Sequence, residues 1–171
     1  MIILCDQAET PLHDLRLEIE EQFDASPIEI FIANIQNENR IRTLFDTYCP
    51  DIVFHAAAYK HVPMMEENPS EAIWTNVLGT KILADISLEF GVEKFVMIST
   101  DKAVRPTNVM GASKRLAEIY IQSLDGVEDY YPTKTKFITT RFGNVLGSSG
   151  SVIPRFKSQI ERKVPITVTH P

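Results

Sequence analysis

Apolar residues change their period repeatedly along the chain. Runs dense in Ile, Val and Phe at Ile2 to Cys5, Ile28 to Ile32, Asp51 to His55, Lys94 to Ser99 and Lys136 to Arg141 predict β-strands, each too short to stand as a free helix. Between them, Pro11 to Phe23, Asn37 to Tyr48, Pro69 to Phe90 and Val109 to Leu124 repeat their apolar residues at three- and four-residue steps and predict helices. Boundary residues agree with these limits. Asn37 and Asn68 can serve as N-caps, Pro11 and Pro69 fall where a first-turn proline costs nothing, and Gly91 ends the longest helix. The strands are almost continuously apolar, as required when helices cover both faces of a sheet. The expected fold is α/β: a Rossmann-like doubly wound parallel sheet. The polar stretch Asp125 to Lys134 reads as a surface excursion.

A doubly wound dinucleotide site normally opens with a strand, a G-x-G-x-x-G turn and a helix, because bare glycine amides and the helix N-terminus hold the pyrophosphate. No such unit precedes Ile2. The strand ending in Asp6 reads instead as the second strand of the sheet, where an acidic residue binds the adenosine ribose hydroxyls. The glycines between Gly143 and Gly150 follow a late strand and do not replace the missing turn. The expectation is one partial NAD(P)-binding domain over residues 1–171, lacking the first βα unit. It would be inactive by itself and would run at about residues 143–171 into the start of a substrate-binding region.

Composition narrows the partners. With 171 residues, 44% of them apolar, the chain suits one domain with a real core. Its net charge is -6 and its basic residues are scattered, so the basic stripe of a nucleic-acid binder is missing. Cys5 and Cys49 form neither a disulfide framework nor a C-x-x-C pair, which fits a reducing cytoplasm. No apolar run reaches the ~18 residues a membrane span needs, so this piece is expected to make no membrane contact.

Ser99, Thr100, Asp101 and Lys102 follow the fourth predicted strand, and ligands of doubly wound sheets sit beyond the carboxyl ends of strands. A hydroxyl, an acid and an amine in succession suit proton transfer at a sugar; an exposed Asp-Lys pair capping a turn would read the same way. Met110-Gly111-Ala112-Ser113-Lys114 opens the next helix. Short-chain dehydrogenases carry Y-x-x-x-K there, the ammonium lowering the pKa of the phenol that takes a proton as hydride leaves. Met110 stands at the tyrosine position and its thioether can be neither acid nor base. Lys114 is then either a holder of the nicotinamide ribose or a solvated surface lysine. Ala56, Ala57 and Ala58, after His55, either let a cofactor lie close to the backbone or simply pack tightly. Lys60 and His61 enter a loop that is either substrate-facing or solvated, and His61 has no second ligand at metal-binding spacing. Asn76, in an otherwise apolar helix, reads as an amide tying backbone groups together. Arg141 either pairs with a phosphate or ends a strand.

The strings FHAAAYKHVPMMEENP, TNVLGTK, STDKAVRPTNVMGASKR, RFGNVLGSSGSVIPRF and PITVTHP resemble the polysaccharide-biosynthesis dehydratases of capsule and O-antigen assembly. These are extended short-chain dehydrogenases acting on UDP-N-acetylglucosamine. The resemblance runs from about Asp6 to Pro171, and methionine at position 110 is similar to the large, membrane-anchored branch. It implies a UDP-N-acetylhexosamine substrate, NAD in preference to NADP, and a larger protein held at the inner membrane by upstream segments, while uncovered apolar sheet edges near Ile2 to Leu4 lead to the expectation of a homo-oligomer. It also implies 4,6-dehydration: Lys102 as the C5 base, Asp101 as the acid for the departing C6 hydroxyl, and Thr100 on the C4 oxygen, with Ser99 a weaker candidate. Both acid-base roles require shifted pKa values, coupled through adjacency. Asn34 would adjoin adenine where relatives carry aspartate. Lys60, His61, Asn144, Ser151 and Val152 would face the UDP-sugar. Two other readings stay open, a UDP-sugar 4-epimerase of the same superfamily and a non-catalytic nucleotide-sugar-binding remnant; an epimerase has no use for the Asp101-Lys102 couple.

Overall fold

The computed structural model of the chain describes residues 1–23, 27–124, 135–145 and 152–166. Strands and helices alternate in the predicted order: β1 (Ile2–Asp6), α1 (Glu9–Gln22), β2 (Ile28–Ile32), α2 (Glu38–Tyr48), β3 (Ile52–His55), then α3 (Val62–Glu67). A long helical stretch follows, composed of α4 (Pro69–Ala72), a π-helical turn (Ile73–Gly79) and α5 (Thr80–Glu89). After β4 (Lys94–Thr100) come a 3-10 turn (Asp101–Ala103), α6 (Val109–Ser123), β5 (Lys136–Phe142) and α7 (Val152–Glu161). The stretch Asp125 to Lys134 lies outside the described residues.

The strands form a two-stranded sheet, β1-β2, and a three-stranded sheet, β3-β4-β5. β1 pairs with β2 in parallel, Ile2 opposite Ile28, and β3 with β4 in parallel, Ile52 opposite Lys94. The β4-β5 pair runs the same way: Lys136 N donates to Glu93 O at 3.0 Å, and four residues on Thr140 Oγ1 donates to Met97 O at 3.3 Å. In the strand order 3-2-1-4-5-6 of a doubly wound sheet, β1 and β3 are the neighbours of the first strand. The predicted parallel α/β architecture is therefore present, and among the described residues β1 and β3 each pair along one edge.

A single core nonetheless joins the two sheets. Phe31 and Ala33 from the β2 end, Ile41, Leu44 and Phe45 of α2, Leu83, Ala84 and Ile86 of α5, Phe95 and Met97 of β4, and Ala117 and Ile121 of α6 pack together, with Ile3 and Val53 at its margin. A smaller cluster of Met65, Ala72 and Met110 lies under Tyr59, Val62 and Val109.

Several boundaries differ from the sequence reading for definite reasons. Asn37 does cap α2, its side chain accepting from Arg40 N at 3.1 Å. Asn68 does not cap α4: its Nδ2 donates backwards to Met64 O at 2.9 Å and closes α3, a helix absent from the prediction. The segment predicted as one helix over Pro69 to Phe90 is interrupted by the π turn, where Thr80 Oγ1 donates to Asn76 O at 2.7 Å. Gly91 ends the stretch at φ 70°, a left-handed conformation suited to glycine. The chain falls into two compact units, Met1–Arg141 and Phe142–Pro171; the second contains α7.

Candidate functional site

β4 buries alternate side chains, Phe95, Met97 and Ser99, and delivers Thr100 to its carboxyl end. The chain then turns tightly: Thr100 Oγ1 accepts from Lys102 N at 3.3 Å and donates to Asp101 Oδ1 at 3.0 Å, while Lys102 Nζ lies 3.4 Å from the same oxygen. The three residues thus form one polar group in solvent. The Thr100 hydroxyl, with the Lys102 charge assisting, holds the Asp101 carboxyl below its usual range. That direction is opposite to the one expected for an acid that must arrive protonated. The donated hydrogen bond from Thr100 sets that direction, and because the carboxylate stands in water little desolvation opposes it. Ser99 is buried and gives its proton to Glu118 Oε1 at 2.6 Å, so it is already committed as a donor.

α6 begins directly beneath this turn. Asn108 caps it by accepting from Gly111 N at 2.8 Å, and Glu66 Oε1 accepts from Val109 N at 2.7 Å. A Cβ built on Gly111 would lie 2.4 Å from the Lys102 carbonyl oxygen, so only glycine lets the helix approach the turn so closely. Met110 faces inward against Met65 and Ala72. Lys114 is 4% exposed, and its Nζ donates to Ile98 O at 2.8 Å. The surface-lysine reading is thereby excluded. Burial brings the Lys114 pKa down to about 8, against the upward pull of Glu118.

Glu118, which sequence reasoning passed over, has no exposed surface. Its carboxylate accepts from Ser99, from Arg115 Nη1 at 2.9 Å, and from Arg141 Nε at 2.9 Å and Nη2 at 2.7 Å. Burial pushes its pKa up, but the donors from Arg141, Ser99 and Arg115 prevail and hold it at about 2. Arg141 is thus the exposed ion-pair partner of a buried carboxylate, a role absent from both readings of it. The helical spacing of Lys114 and Glu118 was the available clue.

At the end of β3, His55 is enclosed and its Nε2 lies 2.7 Å from Thr80 Oγ1. Because that hydroxyl donates to Asn76 O, it can only accept from the ring, which places the imidazole proton on Nε2. Burial and then the Lys114 charge push the His55 pKa down to about 3. Asn76 Oδ1 accepts from Tyr59 N at 2.8 Å; its Nδ2 donates to Tyr59 O at 3.0 Å and to Ser113 Oγ at 2.9 Å. The π turn thereby fastens the loop after Ala56, Ala57 and Ala58 to the first turns of α6. Ala56 and Ala57 are exposed, as are Lys60 and His61, which lead into α3. Asp6 Oδ1 accepts from Ala8 N at 2.8 Å and Asn34 Oδ1 from Gln36 N at 2.8 Å, each shaping the turn after its strand.

Asp6, Asn34, Ala56 to Ala58 and Thr100 to Lys102 all lie at or just beyond the carboxyl ends of parallel strands. Asn144 is exposed in the second unit; Val152 opens α7, its side chain outside the described residues, and Ser151 lies outside them altogether. Among the described residues no group of three or more His, Cys, Asp or Glu could hold a metal ion, and no helix is long and apolar enough to cross a membrane.

The chain matches the family described as polysaccharide biosynthesis protein over residues 1–171. It is 54% identical to the capsular polysaccharide biosynthesis protein CapD of Staphylococcus aureus across 99% of this chain and 28% of that protein. It is 37% identical to a UDP-N-acetylglucosamine 4,6-dehydratase (inverting) of Campylobacter jejuni, across 90% of this chain and 46% of the relative. It is 42% identical to a UDP-glucose 4-epimerase of Rickettsia bellii, across 84% of this chain and 41% of the relative. The chain therefore spans less than half the length of these relatives. Among solved structures, Pen from Bacillus thuringiensis superposes with a TM-score of 0.85 at 35% identity, covering 99% of this chain and 50% of that one. With the match running the whole length of the sequence given, this chain belongs to the polysaccharide biosynthesis protein family.

Proposed function

We propose that the protein carrying this chain is a nucleotide-sugar 4,6-dehydratase of bacterial polysaccharide biosynthesis, converting UDP-N-acetylglucosamine to a UDP-4-keto-6-deoxyhexosamine. The observation that carries the reading is the hydroxyl, carboxylate and amine of Thr100, Asp101 and Lys102 joined at the end of β4 above a buried Lys114. A sugar whose C4 is oxidised has an acidic C5 proton, and an adjacent base and acid can then expel the C6 hydroxyl as water.

The strand-end residues fit NAD by their chemistry. Asp6 offers a carboxylate to the adenosine ribose, Asn34 an amide to adenine, and the exposed methyls of Ala56 and Ala57 permit close approach. When bound, NAD would supply the hydride acceptor for C4 and the donor for C6. The Lys114 ammonium would hold the nicotinamide ribose, Met110 exchanging no proton. Thr100 would hydrogen-bond the C4 oxygen, Lys102 would take the C5 proton, and Asp101 would protonate the leaving hydroxyl. Covering the turn with substrate would remove the water that now keeps Asp101 ionised, raising its pKa toward the value an acid needs. Lys60, His61, Asn144, Ser151 and Val152 are proposed on the sugar-nucleotide side.

The likeness to a UDP-glucose 4-epimerase favours a second reading in which only C4 is oxidised and re-reduced. Product mass separates the two. The full-length protein, given UDP-N-acetylglucosamine, should yield a product lighter by one water, whereas an epimer keeps the substrate mass. Lys102→Ala should slow elimination by ~10²–10⁴-fold while leaving C4 oxidation, so reduced cofactor accumulates by absorbance in a single turnover. Lys114→Ala should give no such absorbance. Normal turnover by the Lys102 variant would remove that residue from the base role.

A further inference from the structure

The proposed chemistry gives Glu118 no task, yet this side chain is fully enclosed and held by three partners from three elements. Its position explains why. Lys114 and Glu118 project from successive turns of α6 and grip successive residues of β4: the ammonium holds Ile98 O, and the carboxylate holds the Ser99 hydroxyl. Thr100 to Lys102 begin at the very next residue. From the other side Arg141 fixes the same carboxylate to β5 with two hydrogen bonds. A neutral side chain of the same shape could hold Ser99, but it could not pair two guanidiniums or lend a negative charge to Lys114.

We propose that Glu118 is a positioning residue for Lys114, fixing α6 against the end of β4 and supplying the buried counter-charge that keeps the Lys114 amine an ammonium.

The groups around Lys114 make this charge decisive. His55, at the end of β3, is uncharged near neutral pH because burial disfavours its ionised form. Arg115 and Arg141 approach through their bonds to Glu118, and Asp101 and Lys102 stand in solvent beyond β4. Burial works against the Lys114 ammonium, and Glu118 is the charge that works for it. The value of that ammonium to the reaction rests on the proposed contact between Lys114 and the nicotinamide ribose; its dependence on Glu118 does not.

The test reads Lys114 itself in the intact protein. Lysine labelled with ¹³C at Cε, with the Lys114 resonance assigned by Lys114→Arg, gives its titration midpoint by NMR without any turnover. Glu118→Gln should lower the midpoint by about one pH unit, the scale of losing one nearby opposite charge. Ser99→Ala, which removes a hydrogen bond but no charge, should leave it in place. Arg141→Gln should raise it, because a competing positive charge is gone; this variant carries the test alone if Glu118→Gln does not fold. Equal midpoints in all variants, or equal shifts in Glu118→Gln and Ser99→Ala, would overturn the proposal. Shifted midpoints in a protein that never dehydrates a UDP-sugar would sink the proposed function and leave the role of Glu118 standing. Normal dehydration with unmoved midpoints would do the reverse.

Discussion

His55 shows how one side chain can shape the response of the fold to acid. Unfolded, its imidazole titrates near 6.5; folded, it resists a proton until about pH 3, because ionisation would place a charge in a dry site beside Lys114. Between those values the unfolded chain binds a proton that the folded chain refuses. Stability is therefore complete above pH 6.5 and falls as pH drops through the window toward 3, at up to about 1.4 kcal/mol per pH unit. His55→Gln, which can still donate to Thr80, should flatten this slope, measured as the change in urea midpoint between pH 7.5 and 5. An unchanged slope would mean that other groups govern acid sensitivity in this range. Glu118 acts in a lower window. Its folded pKa is depressed from 4.5 to about 2, so the stability it adds is present above 4.5 and is lost only below it.

Among the elements, the closest fit joins α6 to the turn after β4. Gly111→Ala would drive a methyl into the Lys102 carbonyl, a backbone atom that cannot swing aside. The expected cost is about 1–3 kcal/mol, the usual range for overpacking, together with a displaced Asp101-Lys102 pair. Thermal melting and the rate of the proposed dehydration should fall together; a variant unchanged in both would show that the helix can slide away freely. Most elements were legible because a strand packed between helices draws a run of Ile, Val and Phe, as in Lys94 to Ser99, where one face is buried and the other partly covered, and because amphipathic helices must repeat at three and four residues. The π turn was not legible, since apolar spacing continues through Ile73 to Gly79 while Thr80 and Asn76 reorganise the backbone hydrogen bonds. Asn68 misled for a similar reason: an amide that could cap the helix ahead bonds the helix behind. In the site, Lys114 carried a clue in its spacing from Met110, and the exclusion of water around it came only with the packed fold. The Glu118-Arg141 pair spans 23 positions and joins a helix to a strand, a pairing no local pattern announces.

For the molecule as a whole, the division of its strands into two sheets around one core has a consequence for how its amides meet water. In β1, Ile2 N donates to Pro27 O and Asp6 O accepts from Ala33 N, so the alternation of a parallel ladder turns the main-chain groups of Ile3 and Cys5 to the other side. In β3, Asp51 O accepts from Glu93 and Lys94, which turns those of Ile52 and Phe54 away from β4. Phe54 is 72% exposed, in a strand whose successor Lys94–Thr100 buries every second side chain. In deuterium oxide, the amides of Ile3, Cys5, Ile52 and Phe54 should exchange before those of Phe95 and Met97, whose release waits for the common core to open. Adding a partner that lends this chain one more parallel strand should slow the first group by orders of magnitude and leave the second nearly unchanged, making those four hydrogens a local clock for strand addition.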